Sequence, residues 1–243
     1  MTNILTAEQL EALKHISTCR VADAIETFQA RLRNEGFVRG GVKCFIPRAE
    51  AMVGYAVTGR IRSANPPMRG TAILERRNWW EYVLSVPQPR IVVLEDEDEK
   101  PGTGAFWDAV HVSIHLALGC VGTVTNGAVR DLSEVEPTGF HYFGGRLSVS
   151  HAYVHITDFG NPVEVGGLKI SSGDLLHGDR DGILSIPHEI AATIPATAAE
   201  VTERNRKLIE MCHSTGLSLD KLYASVNEER YRVGSPEPYH VGA

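Results

Sequence analysis

The sequence predicts an α/β domain with a mixed sheet and helical ends, and three observations indicate this fold class. Short apolar segments typical of buried strands alternate with segments in which apolar residues recur every three or four positions. Residues 91–125 have the order strand, loop, helix, strand, which predicts a βαβ unit with a right-handed crossover. After Asp131 the pattern changes to short strands separated by turns, and it returns to helix near residue 188.

The individual elements follow from local patterns taken in order. Thr6 can cap a helix that begins at Ala7, and apolar residues share one face over residues 21–32. Gly119 ends a later helical segment. Helices are expected from residue 7, at 21–32, at 71–86, at about 105–118 and at about 188–212. Strands are expected at 51–58, 91–94, 121–125, 139–143, 147–156, 163–170 and 183–186, and a polar tail is expected beyond Gly216.

The composition is that of a globular protein with an acidic balance. The 243 residues include 24 Lys and Arg against 30 Asp and Glu, a net charge of −6 that argues against nucleic-acid binding through a basic surface. No apolar run approaches the ~20 residues that span a bilayer, and the N-terminus lacks the pattern of a signal peptide. The four cysteines form no Cys-x-x-Cys pair, which predicts reduced thiols. We therefore expect a cytoplasmic protein with neither nucleic acid nor membrane among its partners.

A glycine-rich turn, Gly-Thr-Gly-Ala-Phe-Trp-Asp at 102–108, stands at the expected start of a helix. Unpaired backbone N–H groups at a helix start can bind a carboxylate or a phosphate. The turn lacks the third glycine of a dinucleotide fingerprint and the Gly-Lys-Ser/Thr of a phosphate loop, so a plain turn is the alternative. The residues expected to bind a substrate carboxylate are Gly104, Ala105, Phe106 and Trp107.

Arg130 and Asp131 follow the apolar strand 121–125 at its carboxyl end, where ligands bind in open α/β sheets. The Arg130 guanidinium can bind a carboxylate or a developing oxyanion through two N–H groups. The Asp131 carboxylate offers a hard oxygen ligand to Mg²⁺ or Mn²⁺. The alternative is an ion pair between these two side chains at a surface turn.

Polar side chains also line one face of the helix that follows the glycine-rich turn, namely Asp108, His111 and His115. The spacing of the two histidines suits zinc, but no third ligand follows at a clear spacing, so packing in the core or at an interface is favoured. Asp108 stands beside the expected anion site and is expected to hold a metal-bound water. His151 and His155 are expected at an interface rather than in catalysis.

Three other polar features carry weaker expectations. Asp174, Asp179 and Asp181 are expected to form turns, because their spacing does not match a calcium-binding EF-hand loop. The acidic run 95–99 is expected to be a solvated loop, and a place on the rim of a cleft is the alternative. Lys169 is the one lysine considered for Schiff-base chemistry, because it stands in a strand-like run.

Four passages of the sequence together resemble the RraA-like family. Two of them are 122–131, which ends in Val-Arg-Asp, and 161–187, which contains Gly-Asp-Leu-Leu-His-Gly-Asp-Arg-Asp-Gly. Upstream, 17–24 and 54–58 are similar to the family's opening helix and first core strand. The resemblance covers about residues 15–205 and leaves the tail 213–243 outside it. It implies one RraA-like domain over residues 1–243, with a swivelling α/β/α fold.

This resemblance implies one of two functions. The family contains 4-hydroxy-4-methyl-2-oxoglutarate aldolases, which also decarboxylate oxaloacetate, and regulators that bind a ribonuclease. The intact Arg130-Asp131 pair favours the aldolase class. That class implies a trimer or a hexamer with its active site between subunits. Asp131 would bind Mg²⁺ or Mn²⁺ directly, and Asp108 would hold metal-bound water together with Glu203, or Glu200, of a neighbouring copy.

The predicted reaction is the cleavage of a small 2-oxo acid, a 4-hydroxy-2-oxo dicarboxylic acid, to pyruvate. Arg130 and the metal would stabilise the charge on the keto oxygen as an enolate forms. Water near Asp108 would take the proton from the C4 hydroxyl. The far carboxylate is expected at residues 59–70, which contain Arg60, Arg62 and Arg69. The alternatives are a non-catalytic regulator of a ribonuclease and a lysine-dependent aldolase.

Overall fold

The computed structural model of the protein describes residues 4–67 and 76–232. The strands are β1 Lys43–Cys44, β2 Met52–Arg62, β3 Arg90–Asp96, β4 Ala105–Trp107, β5 Cys120–Thr125, β6 Ala128–Val129, β7 His141–Gly144, β8 Arg146–Leu147, β9 His155–Phe159, β10 Val163–Val165, β11 Leu168–Ile170, β12 Leu175–Asp179 and β13 Gly182–Ile186. The helices are α1 Ala7–Lys14, α2 Thr18–Thr27, α3 Arg76–Ser85, α4 Ala109–Ala117, α5 Leu132–Val135, α6 Ile194–His213 and α7 Leu219–Arg232. The predicted fold class, α/β with a mixed sheet and helical ends, is confirmed.

A mixed sheet of eight strands forms the centre of the molecule. Seven strands have the order β1-β7-β5-β3-β2-β12-β13, and β9 also pairs with β2. The strands β2, β3, β5 and β7 are parallel to one another, whereas the outer strands run antiparallel. The carboxyl ends of the four parallel strands therefore meet at one edge, which is where ligands bind in such sheets.

Apolar side chains cover both faces of this sheet. In β3, Val92 and Leu94 belong to the core beneath α3 and α4, whereas Ile91 and Val93 belong to the core beneath the β10–β11 hairpin. Burial on both faces explains why this segment is uninterrupted in its apolar character. Each such side chain contributes roughly 1.5–3 kcal/mol on burial, so the sheet is a rigid base for the loops at its edge.

The helix expected over 105–118 begins at Ala109 instead, and this expectation was wrong. Residues 105–107 form β4, which pairs in parallel with β6. The Asp108 carboxylate then caps α4 by accepting the His111 N–H at 2.7 Å. Aromatic residues favour strands, which explains why Phe106 and Trp107 lie in β4 and not in the expected helix.

Two other helices differ from expectation at their ends. α2 ends at Thr27 rather than at residue 32, and Gln29 follows with a left-handed backbone at φ 50°. The helix expected from residue 188 begins only at Ile194, with a proline in its first turn. In the helix expected at 71–86, residues 71–75 lie outside the described residues, and the described part is α3.

The C-terminal half contains two elements that the sequence pattern did not predict. β12 lies between two turns that the aspartates form as expected, since Asp174 accepts the Ser171 N–H at 2.8 Å and Asp179 accepts the Asp181 N–H at 2.9 Å. Its Leu175 and Leu176 are fully buried beside β2. The tail expected to be only polar contains α7. The strand expected over 147–156 is divided into β8 and β9 by a loop. The burial of β12 depends on its pairing with β2, more than a hundred positions earlier, which a short-range pattern does not contain.

The strands β4, β6 and β8 form a second sheet, which is parallel. Asp108 follows β4, and Arg130 follows β6. This sheet begins where the chain leaves the main sheet after β3 and after β5. Its position brings the segments that follow β4 and β6 side by side, because parallel neighbours end at the same edge. Over residues 4–67 and 76–232, every helix is too short or too polar to cross a bilayer.

Candidate functional site

The small parallel sheet places Asp108, Arg130 and Asp131 together. Ala105 and Trp107 of β4 pair with Ala128 and Val129 of β6. The register continues beyond both strands, since the Arg130 N–H donates to the Trp107 carbonyl at 3.1 Å. The residue after β4 and the two residues after β6 therefore lie at the same edge of the small sheet. The sequence placed Arg130 and Asp131 directly after the strand 121–125, whereas the short strand β6 lies between.

Arg130 and Asp131 contact each other directly. Arg130 Nε donates to Asp131 Oδ1 at 2.9 Å, and the side chains are 31% and 26% exposed. The other oxygen, Asp131 Oδ2, accepts the Ala109 N–H at 3.3 Å, at the positive end of α4. The hydrogen bond to Asp131 raises the pKa of Arg130, which therefore stays a cation. The two side chains thus form an ion pair, which the Ala109 N–H holds at the start of α4.

Asp131 has a left-handed backbone with φ of 58°. Aspartate adopts this conformation more readily than most residues, because its short polar side chain bonds locally. The conformation turns the chain sharply between β6 and α5, so the carboxylate faces α4 rather than continuing along the strand. Local strain of this kind is frequent at functional sites.

Asp108 is hydrogen-bonded to His111 and lies beside His151. Its Oδ1 accepts both the backbone N–H of His111, at 2.7 Å, and the His111 ring, whose Nδ1 lies at 2.8 Å. Its Oδ2 lies 3.3 Å from His151 Nε2. Burial by itself raises the pKa of Asp108, but the hydrogen bonds from His111 and the charges of both histidines outweigh this and lower it below its usual range. Asp108 is therefore a carboxylate of fixed orientation.

His151 lies beside Asp108, although its place in the sequence favoured an interface. Its Nδ1 bonds to the Ala105 carbonyl at 2.7 Å, which directs Nε2 toward Asp108. The loop that carries it rests on Gly104, where a Cβ would lie only 2.2 Å from the His151 carbonyl oxygen. No signal in the sequence spacing could have found this contact, because residues 104 and 151 meet only through tertiary packing.

Replacing Gly104 by alanine is expected to destabilise the protein by about 1–3 kcal/mol, because the loop that carries His151 must move to admit the methyl group. The matched control is Gly40→Ala, since a Cβ there meets nothing within 4 Å, and its effect is expected within ~0.5 kcal/mol. Urea unfolding measures both. Equal free energies of unfolding for the two variants would contradict close packing of the loop on Gly104.

The four residues expected to bind a substrate carboxylate are all buried: Gly104 precedes β4, and the other three form it. The N–H of Gly104 donates to Ser63 Oγ at 3.0 Å, and that of Ala105 donates to the Ser150 carbonyl at 2.9 Å. Phe106 and Trp107 are 7% and 0% exposed. In this structure the backbone donors of Gly104 and Ala105 therefore serve the protein itself, and the role of the four residues in substrate binding stays a prediction.

His115 belongs to the core rather than to a metal site. Its Nδ1 donates to the His111 carbonyl at 2.7 Å, and its Nε2 accepts the Trp79 indole N–H at 3.0 Å. Burial lowers its pKa to about 4, so the ring is neutral and both nitrogens are used. The packing expected for this histidine is thus what the structure contains.

The acidic run 95–99 is more structural than expected. Asp96 accepts the N–H groups of Gly102 and Asp98, and burial raises its pKa. Asp98 accepts the N–H groups of Ser63 and Ala64, both at 2.7 Å. These two carboxylates bond to the loop before β4, at Gly102, and to the segment after β2, at Ser63 and Ala64. The expectation of a solvated loop was therefore wrong for Asp96 and Asp98.

Glu203 lies on a different part of the chain from Asp131. Its carboxylate pairs with Arg206 at 2.8 Å and with Lys207 at 3.6 Å on its own helix, and the hydrogen bond from Arg206 lowers its pKa to about 2. That helix, α6, packs mainly against α2 and α1. Any contribution of Glu203, or of Glu200 beside it, to the site would come from another copy.

The arginines expected to bind the far carboxylate already have acidic partners. Arg60 pairs with Glu95 and Asp158, and Arg62 lies 3.6 Å from Glu97. Arg69 lies outside the described residues. Lys169 is exposed on β11, opposite Glu164 of β10, so nothing around it favours Schiff-base chemistry.

Hard oxygen donors for a divalent cation are present at the site. They are the carboxylates of Asp131 and Asp108, and the buried hydroxyl of Tyr142 has no hydrogen-bond partner among the described residues. Burial raises the pKa of Tyr142, and the charges of Asp108 and Asp131 raise it further. Carboxylate oxygens are the ligands that Mg²⁺ or Mn²⁺ prefers, so Asp131 would be the direct ligand and Asp108 would act through water.

A second acidic group lies on the surface near α1. Glu11, His15 and Glu50 have possible ligand atoms within 4.8 Å of one another, and all three are exposed. Within the described ranges, Asp131 is not part of such a three-residue cluster. Further ligands of a cation on Asp131 would therefore be water, substrate or another copy of the chain.

Three concave regions of the surface lie away from this site. They lie between α2, α6 and α7, between α2 and the start of β13, and beside Arg62 and His155. Neither Arg130 nor Asp131 lines any of these three. In the single chain, the site is thus a partly exposed surface and not one of these cavities.

Comparison with known proteins decides the family. The model of the RraA-like family, described as Aldolase/RraA, matches residues 18–185, which is more than half of the chain. The chain belongs to the RraA-like family. The matched region contains β4, α4, β6 and the Arg130-Asp131 pair, so the site described above lies inside the RraA-like part of the molecule.

Relatives and solved structures agree with this assignment. Protein DlpA of Legionella pneumophila is 24% identical over 184 residues, which are 74% of this chain and 28% of DlpA. A protein of Halalkalibacterium halodurans named as a putative 4-hydroxy-4-methyl-2-oxoglutarate aldolase is 35% identical over 71 residues, 29% of this chain and 34% of that protein. The matched segments thus cover about a third or less of the length of these two relatives.

The crystal structure of RraAS2 from Streptomyces coelicolor, described as an unusual member of the RNase ES inhibitor RraA family, shares the fold. It has a TM-score of 0.65 and 19% identity, and the match covers 84% of this RraA-like chain and 96% of that chain. At this identity, the likeness shows the fold alone.

Proposed function

We propose that this RraA-like protein is a divalent-metal-dependent lyase that cleaves 4-hydroxy-2-oxo dicarboxylic acids to pyruvate and also decarboxylates oxaloacetate. The observation that carries the proposal is the Arg130–Asp131 pair beside the anionic, histidine-held Asp108. The printed name of the Halalkalibacterium relative supports the reaction class. The family match supports either this activity or a regulatory role.

Arg130 would bind and orient the substrate. A guanidinium has five N–H donors, so Arg130 can hold Asp131 through Nε and still donate to a ligand oxygen through its Nη atoms. The Ala109 N–H at the start of α4 fixes the Asp131 carboxylate, and this carboxylate keeps the guanidinium in one orientation. Such a preorganised donor stabilises an oxyanion more than the neutral ketone, and that difference lowers the barrier.

In the proposed cleavage, the C3–C4 bond breaks and its electron pair moves onto the C2 keto oxygen, which gives the enolate of pyruvate. Arg130 donates hydrogen bonds to that oxygen. A water held by Asp108 takes the proton of the C4 hydroxyl, and C3 is protonated afterwards. Bound Mg²⁺ or Mn²⁺, held by Asp131, would supply Lewis-acid stabilisation of the same oxygen. In decarboxylation, CO₂ leaves in place of the second 2-oxo acid and the same enolate forms.

A neighbouring copy would complete the site. The loop that carries His151 exposes large apolar side chains, with Leu147 53%, Val149 92% and Tyr153 57% exposed. A group of apolar side chains at a partly exposed polar site favours burial against another chain. A trimer or a hexamer would allow Glu203 of the neighbour to reach the metal-bound waters, as the resemblance implies.

Removal of metal is expected to abolish pyruvate release. The protein is treated with EDTA, desalted and assayed with oxaloacetate in a coupled lactate dehydrogenase assay, with spontaneous decarboxylation subtracted. Activity is expected to fall to background and to return when Mn²⁺ or Mg²⁺ is added, because the keto oxygen then regains its Lewis acid.

Full activity after chelation and desalting would falsify the metal-dependent proposal. A wild-type protein without activity on oxaloacetate or on a set of 4-hydroxy-2-oxo acids would favour the regulatory alternative instead. Borohydride trapping with pyruvate separates the lysine-dependent alternative, because only a Schiff base gives a reduced covalent adduct.

A further inference from the structure

One ring nitrogen of His151 is oriented by the fold but not used by it. The other nitrogen, Nδ1, lies 2.7 Å from the Ala105 carbonyl oxygen. A carbonyl oxygen only accepts hydrogen bonds, so Nδ1 carries the hydrogen and the neutral ring has its lone pair on Nε2. Among the residues that the structure describes, none forms a hydrogen bond with this Nε2. The side chain is 40% exposed, so a solute can reach it from the solvent.

The Asp108 carboxylate stands next to this free nitrogen. Its Oδ2 lies 3.3 Å from His151 Nε2, but the contact lacks the geometry of a hydrogen bond. A protonated ring paired with Asp108 would instead direct its N–H at the carboxylate oxygen. Asp108 is itself anionic, because the hydrogen bonds from His111 help to hold its pKa below the usual range. The contact therefore brings two electron-pair donors side by side.

This contact has the dimensions of two neighbouring ligands on one cation. Nitrogen and oxygen ligands lie about 2.0–2.2 Å from Zn²⁺, so two ligands of a tetrahedral site are about 3.3 Å apart. Metal ligands in proteins are usually oriented by further hydrogen bonds, which fix the histidine tautomer and the carboxylate. Both kinds are present here, since the Ala105 carbonyl orients His151 and the His111 ring bonds to Asp108 Oδ1 at 2.8 Å.

The other histidines with bonded rings lack this combination. His155 has the same ring orientation, because its Nδ1 bonds to the Tyr153 carbonyl at 2.8 Å. Within the described part of the chain, however, no carboxylate forms a close pair with His155. His115 and His177 use both ring nitrogens inside the fold. A free, oriented nitrogen beside a carboxylate thus distinguishes His151.

We infer that Asp108 Oδ2 and His151 Nε2 are ligands of a transition-metal cation of the Zn²⁺ class, with water in the remaining positions. An imidazole nitrogen suits Zn²⁺, whereas Mg²⁺ takes oxygen ligands. The inference goes beyond the proposed function, which places Mg²⁺ or Mn²⁺ on Asp131 and gives it no nitrogen ligand. Binding of Zn²⁺ needs no substrate, so it is tested apart from the release of pyruvate.

The test compares His151→Asn with His155→Asn in calorimetric titrations with Zn²⁺ and, separately, with Mg²⁺. The amide group of asparagine can replace Nδ1 of His151 as a donor to the Ala105 carbonyl, but asparagine has no group at the position of Nε2. His155→Asn is the matched control, because it removes a ring that is bonded to a carbonyl in the same way.

Two further variants complete the set. Asp108→Asn removes the other ligand while keeping a residue that caps a helix well. His15→Asn disrupts the exposed group of Glu11, His15 and Glu50, which is a competing place for Zn²⁺. Thermal unfolding without metal shows that each variant is folded before it is titrated.

The affinity for Zn²⁺ is expected to fall about tenfold or more in His151→Asn and in Asp108→Asn, because each variant loses one of two protein ligands. The affinity for Mg²⁺ is expected to be unchanged in His151→Asn, because imidazole is not a preferred ligand of this cation. His155→Asn and His15→Asn are expected to keep this Zn²⁺ site.

Wild-type affinity for Zn²⁺ in either His151→Asn or Asp108→Asn would overturn the inference, as would a wild-type protein that does not bind Zn²⁺. Loss of binding in His15→Asn but not in His151→Asn would assign the cation to the exposed group and would also overturn it. Absence of pyruvate release, with the expected Zn²⁺ affinities, would overturn only the proposed function.

Discussion

Asp131→Asn is expected to lower metal-dependent release of pyruvate from oxaloacetate by about three orders of magnitude, on the order of 4 kcal/mol in the barrier. The substitution removes the anionic oxygen that would bind Mg²⁺ or Mn²⁺ and that holds Arg130 Nε at 2.9 Å. Asparagine is chosen because it tolerates the left-handed backbone at this position, where φ is 58°, whereas alanine would add strain.

The stability of Asp131→Asn separates a lost ligand from a lost fold. The ion pair with Arg130 is partly exposed, so its removal is expected to change the free energy of unfolding by less than about 1 kcal/mol. The matched control is Glu134→Gln on α5, an exposed acid three residues further along the chain, which is expected to keep full activity. Activity of Asp131→Asn within threefold of Glu134→Gln would show that Asp131 holds no essential metal.

Arg130→Ala is expected to lower kcat by about two orders of magnitude, roughly 3 kcal/mol, because an oxyanion loses its preorganised donor. Mn²⁺ affinity is expected to change little, since the cation would be bound by Asp131 rather than by the guanidinium. Steady-state kinetics with oxaloacetate and a Mn²⁺ titration measure the two quantities. Arg130→Lys is expected to recover only part of the rate, because an ammonium group cannot bond Asp131 and substrate in one plane.

The control for this series is Arg146→Lys, which changes another arginine on β8 of the small sheet, outside the Arg130–Asp131 pair. It is expected to keep wild-type kinetics. An unchanged kcat in Arg130→Ala would contradict the role of the guanidinium at the keto oxygen. Loss of Mn²⁺ binding in Arg130→Ala, with folding intact, would indicate that the arginine mainly orients Asp131.

Much of the central architecture was predictable because local patterns and core burial agree there. The apolar run at 91–94 is β3, buried on both faces, and the run at 121–125 is β5, beside it in the sheet. Arg130 and Asp131 were expected at the end of β5 in the main sheet, but they follow β6 of the small parallel sheet, which the sequence pattern did not predict.

Other parts of the site were not predictable from local patterns. The segment at 105–107 forms a strand only because β6 is beside it, and this pairing moves the start of α4 to Ala109. His151 reaches Asp108 through a loop that packs on Gly104. Tyr142 fits the strand pattern of its segment, and only the structure shows that its buried hydroxyl has no partner among the described residues.

Residue order and short-range periodicity were enough to predict the α/β class, the family and an adjacent guanidinium and carboxylate after a strand. Which groups lie around that pair depends on how distant segments pack. Contacts such as His151 with Asp108 join residues more than forty positions apart. They are fixed by strand pairing and loop packing, whose energies depend on neighbours in space rather than on neighbours along the chain.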